Sequence, residues 1–458
     1  MVSIDECLDA IKCDPMDVLD GTQIIELCRE FDYWPEADGK LDPATLIALF
    51  MQQIASGNVS CDATRLIGRD AFSASAYCQA RMRLPVGVIQ TLARQSYQKI
   101  SDLIDDEDQH RWHGHRVLLI DATSFSMPDT GALQDYFGQP GQQKKGCGFP
   151  VAHLLMLFNA RTGLAVDAIT GPLRTHEMSL ASGTHQHMAP GDLVLGDDSF
   201  GSYAHFALLQ ERGLHGLFPA HHIRIVDFTP DRPCIEPSKV AKAIDAKGLP
   251  RSRWVKSLGE NDQIVEWFKP AQRPNWMSLE QWKKLPDTLE LREARRTLTR
   301  PGFRPVVLTI ATTLLDPRKY PAAELFPLRV RRWDVETDIR HLKTTMGMEV
   351  LHCKTVDGVH KEMWMFLLIY NLVRAVMLAA AKRQKVDVSR ISFASALNWM
   401  RCAKDQESLP RLALVPHRPN RMEPRVIKRR AKPYDIMIRP RKTMREELFV
   451  AGGVLPKG

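Results

Sequence analysis

The chain has 458 residues, of which 44% are hydrophobic and 25% charged, with a formal net charge of +8. That length predicts two or three domains, and the composition is that of an ordinary globular protein. The nine cysteines form no CxxC pair, which argues against zinc ribbons and disulfide scaffolds and favours a reducing cytoplasm. The acidic start "MVSIDECLDAIKCD" has no apolar stretch, so no signal peptide is predicted.

The first predicted unit, residues 1–110, is mostly helical. Apolar residues recur at helical spacing in "PATLIALFMQQIA" and "VGVIQTLARQSYQKI". Between them, "CDATRLIGRDAFSASAYCQARMRL" predicts two short helices joined by a serine-rich turn, a loose helix-turn-helix pattern. Short helical hairpins are also common in proteins that bind no DNA, so the pattern alone identifies no function. Its basic face would consist of Arg65, Arg69, Arg81 and Arg83.

Residues 111–221 predict successive strands and then alternation with helices, which indicates a mixed α/β sheet. The continuous apolar runs "RVLLID" and "DLVLGDD" are typical of buried strands. Between them, "HLLMLFNA" and "LAVDAITG" predict a hairpin with Gly163 in its turn. A helix in "SYAHFALLQERG" and a short strand in "HGLFPA" complete this unit.

Residues 222–320 predict a β-rich insertion of short alternating segments, with one helix around "SLEQWKKL". Helix returns at about residue 328 in the next predicted unit, residues 321–400. An apolar run at 363–381 has the length of a membrane span. Asn371 and Arg374 lie near its middle, where polar groups are costly in lipid, so a buried core helix is predicted and no membrane partner.

The last predicted unit, residues 401–458, carries the positive charge. Residues 411–445 hold twelve Lys and Arg against two acids, a local charge of +10 that leaves −2 for the rest. Within it, residues 418–442 have four prolines and little apolar periodicity, which predicts an extended basic strap suited to a nucleic-acid backbone. A merely solubilising segment is the alternative. At the centre of the strap lie Lys428, Arg429 and Arg430.

Acids at strand ends are the unusual feature of the predicted sheet. Asp121 closes the first strand and Asp197 closes the fourth, although an unpaired buried carboxylate is costly. Carboxylates at neighbouring strand ends repel each other unless a cation lies between them, and hard oxygen ligands favour Mg²⁺ or Mn²⁺ over Zn²⁺. A turn cap is the alternative for any single strand-end acid, and Asp129 and Asp198 are given that role.

The stretch "VRRWDVETDIRHLKTTM" predicts a helix with two stripes. At 100° per residue one stripe is apolar and faces the core: Val335, Ile339, Leu342 and Met346. The other stripe, about a quarter-turn away, is charged: Arg329, Arg332, Glu336, Arg340 and Lys343. Alone, such a stripe is most often a salt-bridged solvated face. Beside two metal-binding carboxylates, Glu336 supplies a third ligand and its basic neighbours contact phosphates.

Histidines offer no clear metal site. The runs "HRWHGH" and "THQH" lack the second half of a zinc ligand set, so a surface cluster is predicted for each. His153, at a strand start, stays an undecided candidate near the acids. The sequence contains no GxxxxGK[ST], GxGxxG or GxSxG motif, so nothing supports a nucleotide-driven machine or a serine hydrolase.

The ordered combination resembles the ribonuclease-H-like DDE transposases of bacterial insertion sequences. Two Asp at the ends of the first and fourth strands, followed by a Glu on a later helix, form the layout of that family. "RVRRWDVETDIRHLK" is similar to the Tyr-Arg-Glu-Lys signature of the insertion sequence four branch, with Arg332, Glu336 and Lys343 at three of its places. Segments such as "AYCQARMRLP" and "LVLGDDSFGSY" look like the same branch, and the resemblance extends over about residues 40–442.

The resemblance implies a ribonuclease-H-like mixed sheet interrupted by an all-β insertion and preceded by a helical domain that binds DNA ends. Asp121, Asp197 and Glu336 would be the catalytic residues and hold two Mg²⁺ ions, with Mn²⁺ as a substitute. The implied reaction is cleavage at terminal inverted repeats and strand transfer into target double-stranded DNA, by a homodimer in the bacterial cytoplasm at the nucleoid. The implied DNA contacts are Arg329, Arg332, Arg340, Lys343, Lys428, Arg429 and Arg430.

Two positions depart from the family pattern. Arg329 stands at the signature Tyr place, which removes a hydroxyl but keeps a phosphate contact. Asp198 stands where a basic residue is frequent, and Asp197 is assigned because it directly closes the strand, with Asp198 as the alternative. A tryptophan of the insertion would stack on an unpaired base, the candidates being Trp254, Trp267, Trp276 and Trp282. A catalytically silent DNA-binding protein and a nuclease without strand transfer remain alternative functions.

Overall fold

The computed structural model describes residues 21–34, 41–68, 72–104, 111–141, 144–236, 248–299, 305–402, 409–416 and 439–450. Within these ranges the strands form one mixed sheet. They are β1 Val117–Ser126, β2 Val151–Asn159, β3 Ala165–Pro172, β4 Leu193–Leu195, β5 His215–Pro219, β6 Ser252–Gly259, β7 Asp262–Phe268, β8 Thr288–Leu298 and β9 Val306–Thr312.

Helices surround this sheet, and those predicted before residue 110 are present. The helices are α1 Gly21–Glu30, α2 Pro43–Ala55, α3 Cys61–Ile67, α4 Ala74–Arg83, α5 Val86–Ile104, α6 Gly131–Phe137, α7 Glu177–Thr184, α8 Tyr203–Glu211, α9 Leu279–Lys284, α10 Ala322–Val330, α11 Trp333–Arg340, α12 Val356–Gln384, α13 Phe393–Cys402 and α14 Arg441–Val450. Short 3₁₀ turns cover His185–His187, Asp198–Phe200 and Val388–Arg390, and a π turn covers His341–Thr345.

The order of the strands is β3-β2-β1-β4-β5-β9-β8-β7-β6. β4 is parallel to β1 and β5, and the other neighbouring pairs are antiparallel. In the parallel register Leu119 of β1 lies opposite Leu195 of β4. Asp121 and Asp197 each come two residues later, so both carboxylates lie side by side where β4 ends. The prediction that Asp121 closes the first strand was wrong, because β1 continues to Ser126 through its pairing with β2.

The predicted hairpin and the predicted helix of the insertion are confirmed. β2 and β3 pair antiparallel, and Gly163 adopts φ +69° between them, a conformation that favours glycine. α9 begins at a capping box in which Ser278 and Gln281 each bind the other's backbone N–H. The strands predicted between residues 222 and 320 extend the same sheet, because β9 pairs with β5.

α12 is the central core helix. It is long and apolar enough to cross a membrane, yet 94% of its most apolar window is buried inside the fold. The two polar residues near its middle have partners: the Asn371 side chain accepts from Ala165 N and donates to Ala165 O, at 2.8 and 3.0 Å. Arg374 Nε donates to Thr162 O at 3.0 Å. The prediction of a buried core helix is therefore confirmed.

The N-terminal helices pack against α12 and share its core. Lys361 of α12 donates to the carbonyl of Met82 at 2.8 Å. The Arg81 guanidinium lies 3.8 Å from the centroid of the Phe50 ring and donates to Gln53 Oε1. Arg81 is thus a half-buried packing residue, and its assignment to an open basic surface was wrong because its side chain lies over the Phe50 ring. Arg69 lies outside the described residues.

The predicted two-stripe helix is not one regular helix. α10 begins at Ala322, before the predicted start at residue 328, and the chain turns at 331–332 before α11. The π turn then replaces the last regular turn. The apolar stripe is buried as predicted, from Val335 to Met346. The charged residues, however, do not form one stripe, because the break and the π turn place them on separate segments of the chain.

Candidate active site

Arg332 lies between two of the three predicted catalytic carboxylates. Its Nη2 donates to Glu336 Oε1 at 2.6 Å, and its Nη1 is 3.8 Å from Asp121 Oδ2. The other Asp121 oxygen accepts from the Ala122 backbone N–H at 2.8 Å. One guanidinium therefore bridges an acid from β1 and an acid from α11.

The pKa of Asp121 is raised to about 6, and burial is the largest cause. The Asp197 and Glu336 carboxylates raise it further, whereas the Ala122 N–H and the Arg332 guanidinium lower it. Each of these acids thus makes ionisation of Asp121 more costly. Carboxylate oxygens are the ligands that a hard divalent cation prefers, but Asp121, Asp197 and Glu336 do not bring one oxygen each within 4.8 Å of the others, and Glu336 is exposed.

Asp197 is fixed by the turn that follows β4. Its Oδ1 accepts from the backbone N–H of Ser199 at 2.9 Å and from Ser199 Oγ at 2.6 Å. Ser199 Oγ also lies 3.1 Å from Glu177 Oε2 on α7, and Glu177 Oε1 lies 3.5 Å from His153 Nε2. The undecided candidate His153 is therefore connected to Asp197 through two side chains.

Glu177 was missed by the sequence predictions, since it closes no strand and its place beside Ser199 depends on packing. The hydrogen bond from His153 is the main cause that lowers the pKa of Glu177. In return, Glu177 is the main cause that raises the pKa of His153. The only local signal was the position of Glu177 in the first turn of a helix, where acids are favoured.

The roles given to Asp198 and Asp129 as turn caps were wrong. Asp197 caps the 3₁₀ turn, and Asp198 is the first residue inside it. Thr130 caps α6, while Asp129 accepts from the Gln134 side chain. In both cases the capping oxygen comes from the neighbouring residue, because the chain enters the turn one position away from the predicted cap.

The basic residues of the charged stripe have different surroundings. Lys343 Nζ donates to Thr123 Oγ1 at 3.2 Å, two residues beyond Asp121, and Arg340 is exposed. Arg329 is 8% exposed. Burial and Arg332 lower the pKa of Arg329 to about 10, and Asp197 is the strongest of the carboxylates that raise it. The predicted contacts Lys428, Arg429 and Arg430 lie outside the described residues.

A second cluster lies beside Asp197. One ligand atom from each of Asp198, His221 and His222 lies within 4.8 Å of the others. Among the residues that the structure describes, no other three acids, histidines or cysteines come this close together. His222 Nδ1 is 3.6 Å from Asp198 Oδ2, so an ion pair forms when His222 is protonated.

A family model described as "Transposase DDE domain" matches residues 112–372, more than half of the chain. The chain belongs to the DDE transposase family. The transposase is 24% identical over 390 residues to the transposase InsG of insertion sequence element IS4 from Escherichia coli K12, covering 81% of this chain and 79% of InsG. It is 30% identical over 169 residues to the putative transposase InsZ of the same strain, covering 36% of this chain and 54% of InsZ.

Among solved structures, a piggyBac transposase synaptic complex with hairpin DNA has a TM-score of 0.39 and 10% identity, covering 88% of this chain and 80% of that one. That likeness is too low to support a further statement. The family and the insertion-sequence relatives identify the chain as a DNA transposase and confirm the family resemblance seen in its motifs.

Two histidines of the transposase were wrongly predicted to lie in surface clusters. His115 is buried between Gly191 O and Tyr320 Oη, at 2.6 and 2.7 Å. His185 is buried against His205, with 3.1 Å between their Nε2 atoms. Burial lowers the pKa of His185 to about 3 and that of His205 to about 4, so both rings are neutral at neutral pH.

Two tryptophans proposed to stack on a base are core residues. Trp267 is fully buried and donates to Glu293 Oε1, and Trp282 is buried against Tyr203. Trp254 and Trp276 are half-buried, so these two stay candidates for stacking on a base. The sequence pattern of a strand does not show which tryptophans face the core, because an aromatic side chain is favoured both in a core and on a binding surface.

Proposed function

We propose that the transposase cleaves its element's ends and joins them to target DNA at Asp121, Asp197 and Glu336, on a ribonuclease-H-like sheet. The carrying observation is the register of Leu119 with Leu195, which brings the first two acids side by side where β4 ends. The order β3-β2-β1-β4-β5 supports this fold, with β3, β2 and β1 antiparallel to one another in turn and β1, β4 and β5 parallel. Asp197 is preferred over Asp198, because its charge acts on Asp121.

The three carboxylates are hard oxygen ligands, and we propose that they hold two Mg²⁺, with Mn²⁺ as a substitute. Bound ions would supply charge to activate a nucleophile and to stabilise a leaving oxygen. Arg332 holds Asp121 and Glu336 beside each other, while Ser199 orients Asp197. Pairing of these oxygens with fixed donors keeps the carboxylates in place in the half-buried site.

Several parts of the transposase are proposed to contact DNA. Arg340 and Lys343 lie at or near the surface beside the acids, and residues 411–445 have the charge density that a phosphate backbone attracts. Residues 1–110 would bind the element's ends, and residues 222–320 would be the insertion between the catalytic parts, 111–221 and 321–400. Two ends need pairing, so the active complex would be a homodimer at the bacterial nucleoid.

The test is Glu336→Gln in a nicking assay on duplexes that carry the terminal sequences flanking the gene. Gln keeps the shape but is a poor ligand for Mg²⁺, so nicking should fall by at least about 100-fold. Glu349→Gln is the matched control, because Glu349 is an exposed acid four residues beyond the π turn that follows helix α11. Wild-type nicking by Glu336→Gln, or equal losses in both variants, would refute the assignment.

Joining is tested by the products. We expect strand-transfer products on a supercoiled target plasmid after cleavage of the donor ends. Cleaved ends with no joined product would identify a nuclease, and DNA binding with neither product would identify a catalytically silent protein. All three predicted acids are retained, which favours the active transposase.

A further inference from the structure

A cavity of about 550 Å³ lies in the β-rich insertion. Three arginines line it, Arg224, Arg251 and Arg273, and no Asp or Glu does. None of its lining residues belongs to the candidate active site. The rest of its wall is apolar or amide: Phe268, Pro270, Ala271, Gln272, Pro274 and Asn275.

Arg224 is held in place by buried groups beneath the cavity. Its guanidinium carbon lies 3.3 Å from the centroid of the Trp267 ring. Trp267 Nε1 in turn donates to Glu293 Oε1 at 2.8 Å, and Gln263 Nε2 donates to Glu293 Oε2 at 2.9 Å. Since Trp267 and Glu293 are fully buried, they fix the guanidinium as a preorganised donor in the wall of the cavity.

The other two arginines add charge that no described acid pairs with. Burial lowers the pKa of Arg224 to about 10, Glu293 raises it, and Arg251 lowers it through like-charge repulsion. Arg251 is exposed, and within the described ranges the nearby Glu236 and Glu266 pair with Arg253 instead. Arg273 donates to the carbonyls of Met277 and Pro274, which anchor one of its nitrogens. An anion between these groups would relieve their repulsion.

We propose that this cavity binds a phosphate group. Guanidinium forks match phosphate oxygens bidentately, and three of them converge on a volume large enough for a nucleotide unit. Phe268, Pro270 and Pro274 provide apolar wall for a sugar beside the phosphate. The phosphate comes from a DNA backbone or from free phosphate; the first source rests on the proposed function and deepens it.

The first arm of the test measures DNA binding by Arg251→Gln in EDTA, where no cleavage occurs. Affinity for a duplex should fall on the order of tenfold at low salt, the effect of a lost charged hydrogen bond. The slope of log affinity against log salt should fall by about 1, as for one lost phosphate contact. Arg296→Gln is the matched control, because Arg296 is an exposed arginine of the same insertion that does not line the cavity.

The second arm titrates inorganic phosphate into the wild-type protein and both variants by calorimetry. Loss of duplex affinity specific to Arg251→Gln assigns the cavity to a DNA phosphate, and loss confined to inorganic phosphate assigns it to the free ion. Equal losses in the Arg251 and Arg296 variants, or no loss in either arm, overturn the proposal. Neither arm depends on catalysis. The phosphate proposal can therefore still be judged if the nicking test with Glu336→Gln fails.

Arg273→Gln provides a second variant in the wall of the cavity. Its thermal unfolding midpoint is compared with that of the wild type, so that a folding defect is recognised. With the fold intact, it should reproduce the loss seen with Arg251→Gln in the same arm. A wild-type response from a folded Arg273→Gln variant contradicts the convergence of the three arginines on one ligand.

Discussion

Asn371→Leu should destabilise the transposase even though it makes α12 more apolar. β3 is an edge strand, so backbone groups that point away from β2 need partners outside the sheet. The Asn371 side chain provides these partners for both the N–H and the C=O of Ala165. The substitution leaves two buried groups of Ala165 unpaired, at about 1–3 kcal/mol each.

The leucine side chain recovers part of this loss by burial, about 2 kcal/mol. The net expectation is a destabilisation of about 2 kcal/mol, a large part of a typical stability. Urea unfolding followed by tryptophan fluorescence measures the change. Met377→Leu, a buried apolar exchange on the same helix, is the control and should cost under about 1.5 kcal/mol. Wild-type stability of Asn371→Leu would refute the role given to these two hydrogen bonds.

Three further predictions concern pH and backbone strain. Burial lowers the pKa of His205 from 6.5 to about 4. As the pH falls, His205 is therefore protonated in the unfolded chain before it is protonated in the folded one, and the free energy of unfolding should decrease by about 3 kcal/mol below pH 6.5. In urea unfolding, His205→Gln should show a smaller decrease. Gly163→Ala should destabilise by about 1–2 kcal/mol in the same unfolding assay, since φ is +69° and the new Cβ would meet the Arg374 guanidinium; an unchanged midpoint would contradict this. The pKa of Asp121 is raised to about 6, so a proton should compete with the metal ion below that pH. The Mg²⁺ concentration for half-maximal nicking should then rise about tenfold for each pH unit. The same half-maximal Mg²⁺ concentration at pH 5 and pH 7.5 would contradict this.

Local periodicity was enough to predict the strands and the buried apolar stripe. "RVLLID" and "DLVLGDD" are continuous apolar runs, and a run of that kind needs no tertiary information to indicate a buried strand. The end of β1 was not predicted, because its polar residues after Asp121 pair with β2 as far as Ser126. The parallel register explains why Asp121 and Asp197 lie side by side where β4 ends. Whether these acids and Glu336 catalyse DNA cleavage stays a prediction.

The surroundings of the charged side chains could not be predicted from spacing. A regular helix would place Arg329 on the exposed stripe, but the turn at 331–332 leaves it buried near Asp197. Glu177 meets Ser199 only because α7 packs beside the end of β4. Arg224, Arg251 and Arg273 likewise converge from distant parts of the chain. Such contacts depend on tertiary packing, which leaves no periodic pattern in the sequence.

Because β9 pairs with β5, one continuous series of paired strands connects the candidate active site with the phosphate cavity. β4 leads to Asp197 and β7 leads to Phe268 in the phosphate cavity, and four strand-to-strand steps separate them, through β5, β9 and β8. Strands lie about 4.8 Å apart, so the lateral separation is about 19 Å. Asp197 lies two residues beyond Leu195, whereas Phe268 lies four residues beyond Ile264 on a strand that runs in the opposite direction, so the two lie toward opposite ends of the strands. The interval of about 19 Å is therefore the lateral part of their separation. Changes in loop length leave that interval unaltered, whereas loss of one strand from the ladder would shorten it.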